Sequence, residues 1–147
     1  MKKIFIILLL IFGISYAGNN NKEVKFEAKL IDSIAKILFK KEKLYVYFYG
    51  NDALKISKYS KVLIQTKNIK IADFILASEK INSEHKFKSI KKPIIGMKYF
   101  LLKDENVIGA IFWHKGRPNI VFIKSRLKKF NINPPKSLRK YIEDRVW

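Results

Sequence analysis

The densest run of side chains that could do chemistry lies near the C-terminus. Lys124, Arg126, Lys128 and Lys129 fall close together, and Lys136, Arg139 and Lys140 follow beyond the segment Asn131-Ile132-Asn133-Pro134-Pro135. The chemistry open to such a set is electrostatic. Fixed cations, with Phe130 and Trp147 as nearby apolar anchors, suit an acidic protein face or anionic headgroups. The same residues would equally serve as the solvated outside of two short helices.

Other reactive types are sparse. His85 and His114 are the two histidines, neither has a second His or Cys at metal-ligand spacing, and cysteine is absent. No metal site is expected. There is no phosphate-cradling glycine loop, no dinucleotide fingerprint and no G-x-S-x-G elbow, so no cofactor is expected either. Glu42, Glu79 and Asp104 stand beside lysines and read as solvated ion pairs rather than an acid–base dyad. His114, next to Trp113, is the one position at which a hydrolase or transferase reaction could be placed. A histidine at a hairpin end reads more simply as a polar rim residue, and no catalytic residue is expected. Tyr45, Tyr47 and Tyr49 share one strand face, either as a stacking platform for bases or sugars or as a row packed under a helix with its hydroxyls at the rim. The second reading is preferred.

The 31 Lys and Arg against 12 Asp and Glu give a formal charge of +19. Residues 1–17 have the plan of an export signal: Lys2 and Lys3, an apolar core from Ile4 to Ile14, and Ser15-Tyr16-Ala17 as a small-residue cleavage site before Gly18. The apolar core is short for a membrane span. Losing Lys2 and Lys3 and no acid lowers the charge from +19 to +17. An anionic partner is the functional expectation, and a lysine-biased solvated surface is the plain one. Nucleic acid is disfavoured because only Arg117, Arg126, Arg139 and Arg145 carry the guanidinium fork.

The elements that must position these residues follow from periodicity. Gly18 to Lys22 is a polar leader, expected to be disordered or extended. Phe26, Leu30, Ile34 and Leu38, with Ile31 and Ala35, form the apolar stripe of a helix. Lys43 to Tyr49 is a strand, and Asp52 is placed to cap a short helix over Ala53–Ser57. Val62–Gln65 is a weak strand and Asp73–Ala77 a firmer one. Ser78 is a candidate cap for a helix from Glu79 towards His85, and Pro93–Met97 is a buried strand. Tyr99–Lys103 fits helix or strand, and Asp104-Glu105-Asn106 is a turn.

Next comes a hairpin around Lys115-Gly116-Arg117-Pro118. Val107, Gly109, Ile111 and Trp113 should share one face and Ile108, Ala110, Phe112 and His114 the other, with Ile111 and Trp113 in the core. Both faces are largely apolar, which places the hairpin centrally in a covered sheet. Ser125–Phe130 is a helical turn, the paired prolines force an extended path, and a last helix runs from Lys136 to about Arg145 through Leu138, Tyr141 and Ile142. The fold class is α/β: one small layered domain, residues 23–147, with a mixed sheet, flanking helices and a C-terminal hairpin plus helix.

In order along the chain, these segments resemble the YfiR-like periplasmic family. The matching residues are Ala28 to Phe39, Leu44 to Gly50, Ala72 to Ser78, Gly109 to Trp113, Ile120 to Ile123, Arg126 to Phe130, Ile132 and Leu138. The resemblance implies an exported α/β regulatory protein of the periplasm, often a dimer. Such a protein restrains a membrane-bound diguanylate cyclase by binding its periplasmic part, and so acts in cyclic-di-GMP signalling. Family members often carry disulfides, which a chain without cysteine cannot form. The resemblance thus implies a non-catalytic regulatory protein and supplies no binding residue; the charge run gives Lys124, Arg126, Lys128, Lys129, Arg139 and Lys140 as the expected partner surface. The alternative is a basic adaptor on anionic membrane or cell-envelope surfaces.

Overall fold

Apolar residues at three- and four-residue spacing make Asn20–Phe39 a helix, α1, whose core-facing side is Ala28, Leu30, Ile31, Ile34, Ala35 and Leu38. A computed structural model describes residues 20–81 and 91–146. The export signal, most of the segment from Glu79 towards His85, and Trp147 lie outside these residues. α1 begins inside the leader expected to be extended, because Asn20, Asn21 and Lys22 continue its first turn and Glu23 complements the helix dipole there.

The chain then runs through β1 (Leu44–Tyr49), α2 (Asn51–Tyr59), β2 (Leu63–Gln65), a 3₁₀ turn at Ile69–Ile71, β3 (Phe74–Ala77) and β4 (Ile94–Gly96). A second 3₁₀ segment at Tyr99–Lys103 leads into β5 (Val107–His114), β6 (Arg117–Ile123), α3 (Lys124–Lys129), a 3₁₀ segment at Lys136–Tyr141, and β7 (Ile142–Glu143). Among the described residues the strands form one seven-stranded sheet in the order β2-β1-β3-β4-β5-β6-β7. It is parallel except for the β5–β6 hairpin. The domain is thus mixed α/β, with the hairpin strand β5 in the interior of the sheet.

One face of the sheet packs on α1, α2 and α3 through Val46, Phe48, Phe74, Leu76, Ile95, Ile108, Ile111 and Phe122. The other carries Ile75, Ala77, Ile94, Val107, Ala110 and Ile123 under Leu101 and Leu102 of the second 3₁₀ segment. Each large aliphatic side chain so buried contributes about 1.5–3 kcal/mol relative to exposure.

Several expectations change. The strict alternation along β5 fails, because Ile108 lies in the same core as Ile111 and Val107 in the same core as Ala110. A β-bulge accounts for it: Ile94 pairs with Val107 but Ile95 pairs with Gly109, so one extra residue enters β5. The hairpin turn is tighter than Lys115–Pro118. Lys115 and Gly116 alone turn the chain, both at positive φ (52° and 71°), and Arg117 and Pro118 already pair with His114 and Trp113.

The last helix is absent. Pro135 leads into 3₁₀ geometry, and Ile142 and Glu143 pair in parallel with Phe122 and Ile123. The outer edge of β6 would otherwise leave backbone groups unpaired, and that demand outweighs a narrow helical stripe. Ser78 and Glu79 form a bend rather than opening a helix. The tyrosine row lies under no regular helix of the described residues: Tyr45 is 47% exposed, and Tyr47 and Tyr49 are half-buried beside the second core.

Candidate functional site

Two surface features concentrate chemistry. The first holds part of the basic set. Lys124 and Lys128 on α3 and Arg139 on the following 3₁₀ segment line a groove of about 480 Å³ with Asn133 and Pro134, over a floor of Leu127, Ile132 and Ile142. Asp144 also lines it. The extended Asn133-Pro134 link brings Arg139 back across α3, which explains why cations separated in sequence converge.

The other basic positions behave differently. Lys129 is exposed and does not line this groove, and the Lys140 ammonium sits over the Tyr141 ring at 5.0 Å. Arg126 is half-buried and turned to the backbone. Its Nη1 donates to the carbonyls of Leu102 (2.8 Å), Asp104 (3.1 Å) and Val107 (2.8 Å). Burial lowers its pKa, a cost opposed by nearby Glu105 and Asp104. Arg126 therefore fastens α3 to the turn that enters β5. Arg126 was expected on the partner surface with its neighbours in the run; its Nη1 is turned inward to these carbonyls. Arg126→Met should keep the apolar stem but strand these carbonyls, lowering stability by about 1–2 kcal/mol in a urea titration while leaving the groove cations in place.

The second feature lies outside the C-terminal ends of β1, β4 and β5, where open α/β sheets commonly take ligands. Asp52 and Lys55 come from α2 just after β1, Met97 and Lys98 follow β4, Trp113 and His114 end β5, and Glu23 and Glu27 project from α1. Two hollows share Met97, Lys98 and Trp113. One, about 430 Å³, has Glu23, Glu27 and Asp52 on its wall, and the other, about 520 Å³, is lined by Tyr99, Phe100, Phe112 and His114. Tyr99 and Phe112 meet at 5.3 Å between ring centres, tilted by 57°. Trp113 is not a core residue as expected. It is half-buried, tilts against Phe26 at 5.8 Å, and lines both hollows.

Asp52 is engaged by Lys55 (3.4 Å) and Lys98 (4.0 Å). Glu27 receives a hydrogen bond from the Trp113 indole, and no ion pair reaches it among the described residues. Burial pushes its carboxyl up from 4.5 to about 7. The Trp113 hydrogen bond acts against the rise, and the charges of Asp52 and Glu23 add to it.

Sequence reasoning passed over Glu27, although a signal existed. It stands four residues before Ile31 and three before Leu30, on the line of the apolar stripe, where a charged residue is out of place. His114, exposed at the end of β5, borders the aromatic hollow, consistent with a rim position.

At the β1/β3 switch point the protein fills its own anion-binding position. The Ala53 N–H donates to Ser78 Oγ (3.1 Å) and the Asn51 N–H to Glu79 Oε1 (3.4 Å), so the first turn of α2 is capped from across the sheet. Asp52, expected as that cap, instead lies within the turn. Among the described residues no group of three or more His, Cys, Asp or Glu is placed to hold a metal ion. No family model matches the chain, and no curated protein matches it.

Proposed function

We propose that the protein is an exported, non-catalytic regulatory binding protein. It acts on the extracytoplasmic part of a membrane signalling protein of the diguanylate cyclase type. The observation that carries this reading is the convergence of Lys124, Lys128 and Arg139 around an apolar floor. Cations at a rim steer an acidic partner and set its register, while Leu127, Ile132 and Ile142 offer apolar contact area. The likeness to YfiR-like proteins, the signal-like residues 1–17 and the charge of +17 after their removal support it.

The test reverses the three rim charges together in Lys124→Glu/Lys128→Glu/Arg139→Glu. All three side chains are exposed, so the fold should hold. Deleting the gene should change cellular cyclic-dinucleotide levels; the wild-type chain should restore them and the triple variant should not. Full restoration by the triple variant, or no change on deletion, rejects the reading. If instead wild-type protein binds anionic vesicles with steep salt dependence and deletion leaves the dinucleotide unchanged, the partner is the membrane surface itself.

A further inference from the structure

The paired hollows at the C-terminal edge of the sheet carry an inference independent of the basic groove. In a chain of formal charge +19, one hollow sets Glu23, Glu27 and Asp52 beside Lys55 and Lys98, and it adjoins an aromatic hollow through Trp113. From the shared wall at Trp113, we propose that the double hollow binds a small organic ammonium ion, with its charged end at Glu27 and its apolar body against Tyr99, Phe100 and Phe112.

Three features of the geometry select that class of ligand. The wall is acidic where it is least compensated: Asp52 already has Lys55 and Lys98, whereas among the described residues Glu27 has the Trp113 indole as its donor and no ion pair. An incoming N–H donor can therefore form a charge-assisted hydrogen bond without displacing a lysine. The Trp113 ring borders both hollows and the Tyr99 ring borders the aromatic one, and aromatic faces attract a desolvated cation. The hollow lined by Phe100 and Phe112 is about 520 Å³, ample for a ring-sized apolar body, and Phe100 is 47% exposed, so such a body has surface left to cover. An anion would meet Glu23 and Glu27 and is disfavoured.

The test uses the full chain carrying Trp147→Phe, which leaves Trp113 as the single tryptophan reporter. The probes are 2-phenylethylammonium, its neutral counterpart 2-phenylethanol, and the anion 3-phenylpropionate. At pH 8, where Glu27 is ionised and the amine keeps its proton, the ammonium should change Trp113 fluorescence saturably in the millimolar range or below, at least about tenfold more tightly than the other two. Glu27→Gln, nearly isosteric, should remove that preference. Phe100→Ala, at an exposed position, should weaken the ammonium and the alcohol alike. No saturable response, equal affinity for ammonium and alcohol, or an undiminished preference in Glu27→Gln overturns the proposal. Circular dichroism of each variant distinguishes loss of binding from loss of fold.

Discussion

Gly109→Ala is expected to cost about 3 kcal/mol, the upper end of an overpacking loss and a large part of the total stability of a domain this size. Gly109 sits opposite Phe122 in the β5–β6 ladder. A Cβ there would stand 2.2 Å from Phe122 Cδ1 and 2.5 Å from the Val121 carbonyl oxygen. Neither can yield: Phe122 is fully buried and the carbonyl belongs to the strand backbone. The bulge beside it already fixes the path of β5, so sliding the strand would carry Ile108 or Val107 into the wrong core. A denaturant titration measures the loss. The double variant with Phe122→Leu should recover only part of it, because the carbonyl contact remains. Gly116→Ala provides the contrast. An added Cβ meets nothing within 4 Å there, and the cost is only that of φ +71°, about 1–2 kcal/mol. Equal losses at the two glycines would refute the packing argument.

Glu27→Gln is expected to stabilise the protein at neutral pH and above. The folded carboxyl keeps its proton to about pH 7, whereas an unfolded one releases it near 4.5. Between those values the folded state binds more protons, so stability falls as pH rises through the window and levels off above it. The gap corresponds to about 3 kcal/mol as an upper bound, at about 1.4 kcal/mol per tenfold change in proton affinity. The groups facing Glu27 are Glu23 on its own helix, Asp52 and Lys55 on α2, Lys98 after β4, and Trp113 on β5. Other carboxylates titrate as well, so the quantity to compare is the difference between wild type and Glu27→Gln. That difference should be near zero below pH 4.5 and reach its full value above pH 7. Parallel stability curves for the two proteins would show that burial does not penalise this carboxylate.

What was legible in the residues followed from how local each signal is. The α1 stripe, the aromatic run of β1, the buried run at Phe74–Ala77 and the hairpin flanking Lys115-Gly116 each declare themselves within a few positions. β7 does not. Ile142 and Glu143 become a strand because β6 has an open edge beside them, a fact about tertiary position. The bulge was equally hidden, since Val107-Ile108-Gly109-Ala110 is apolar in either register and only the pairing with Ile94 and Ile95 decides. For the candidate sites the basic run was plain, but a run of cations does not say which are bound inward. Three carbonyls from the β5 entry claim Arg126, while the link through Pro134 delivers Arg139. The acidic and aromatic crevice joins residues from α1, α2, β5 and the segment after β4, and no single stretch of sequence contains it.

The cap on α2 has a consequence for how the chain assembles. Its first turn is completed by Ser78 and Glu79, 25 and 28 residues further along the chain. The β1–α2–β2 unit thus resembles a self-sufficient crossover in outline but lacks the groups that finish its own helix. Those groups arrive only when β3 docks beside β1, after a long loop has closed against its entropy. Helix start and central strand then form in one cooperative step, and any opening that releases β3 also frays α2. The left half of the sheet is bound by this arrangement to fold and unfold with its middle.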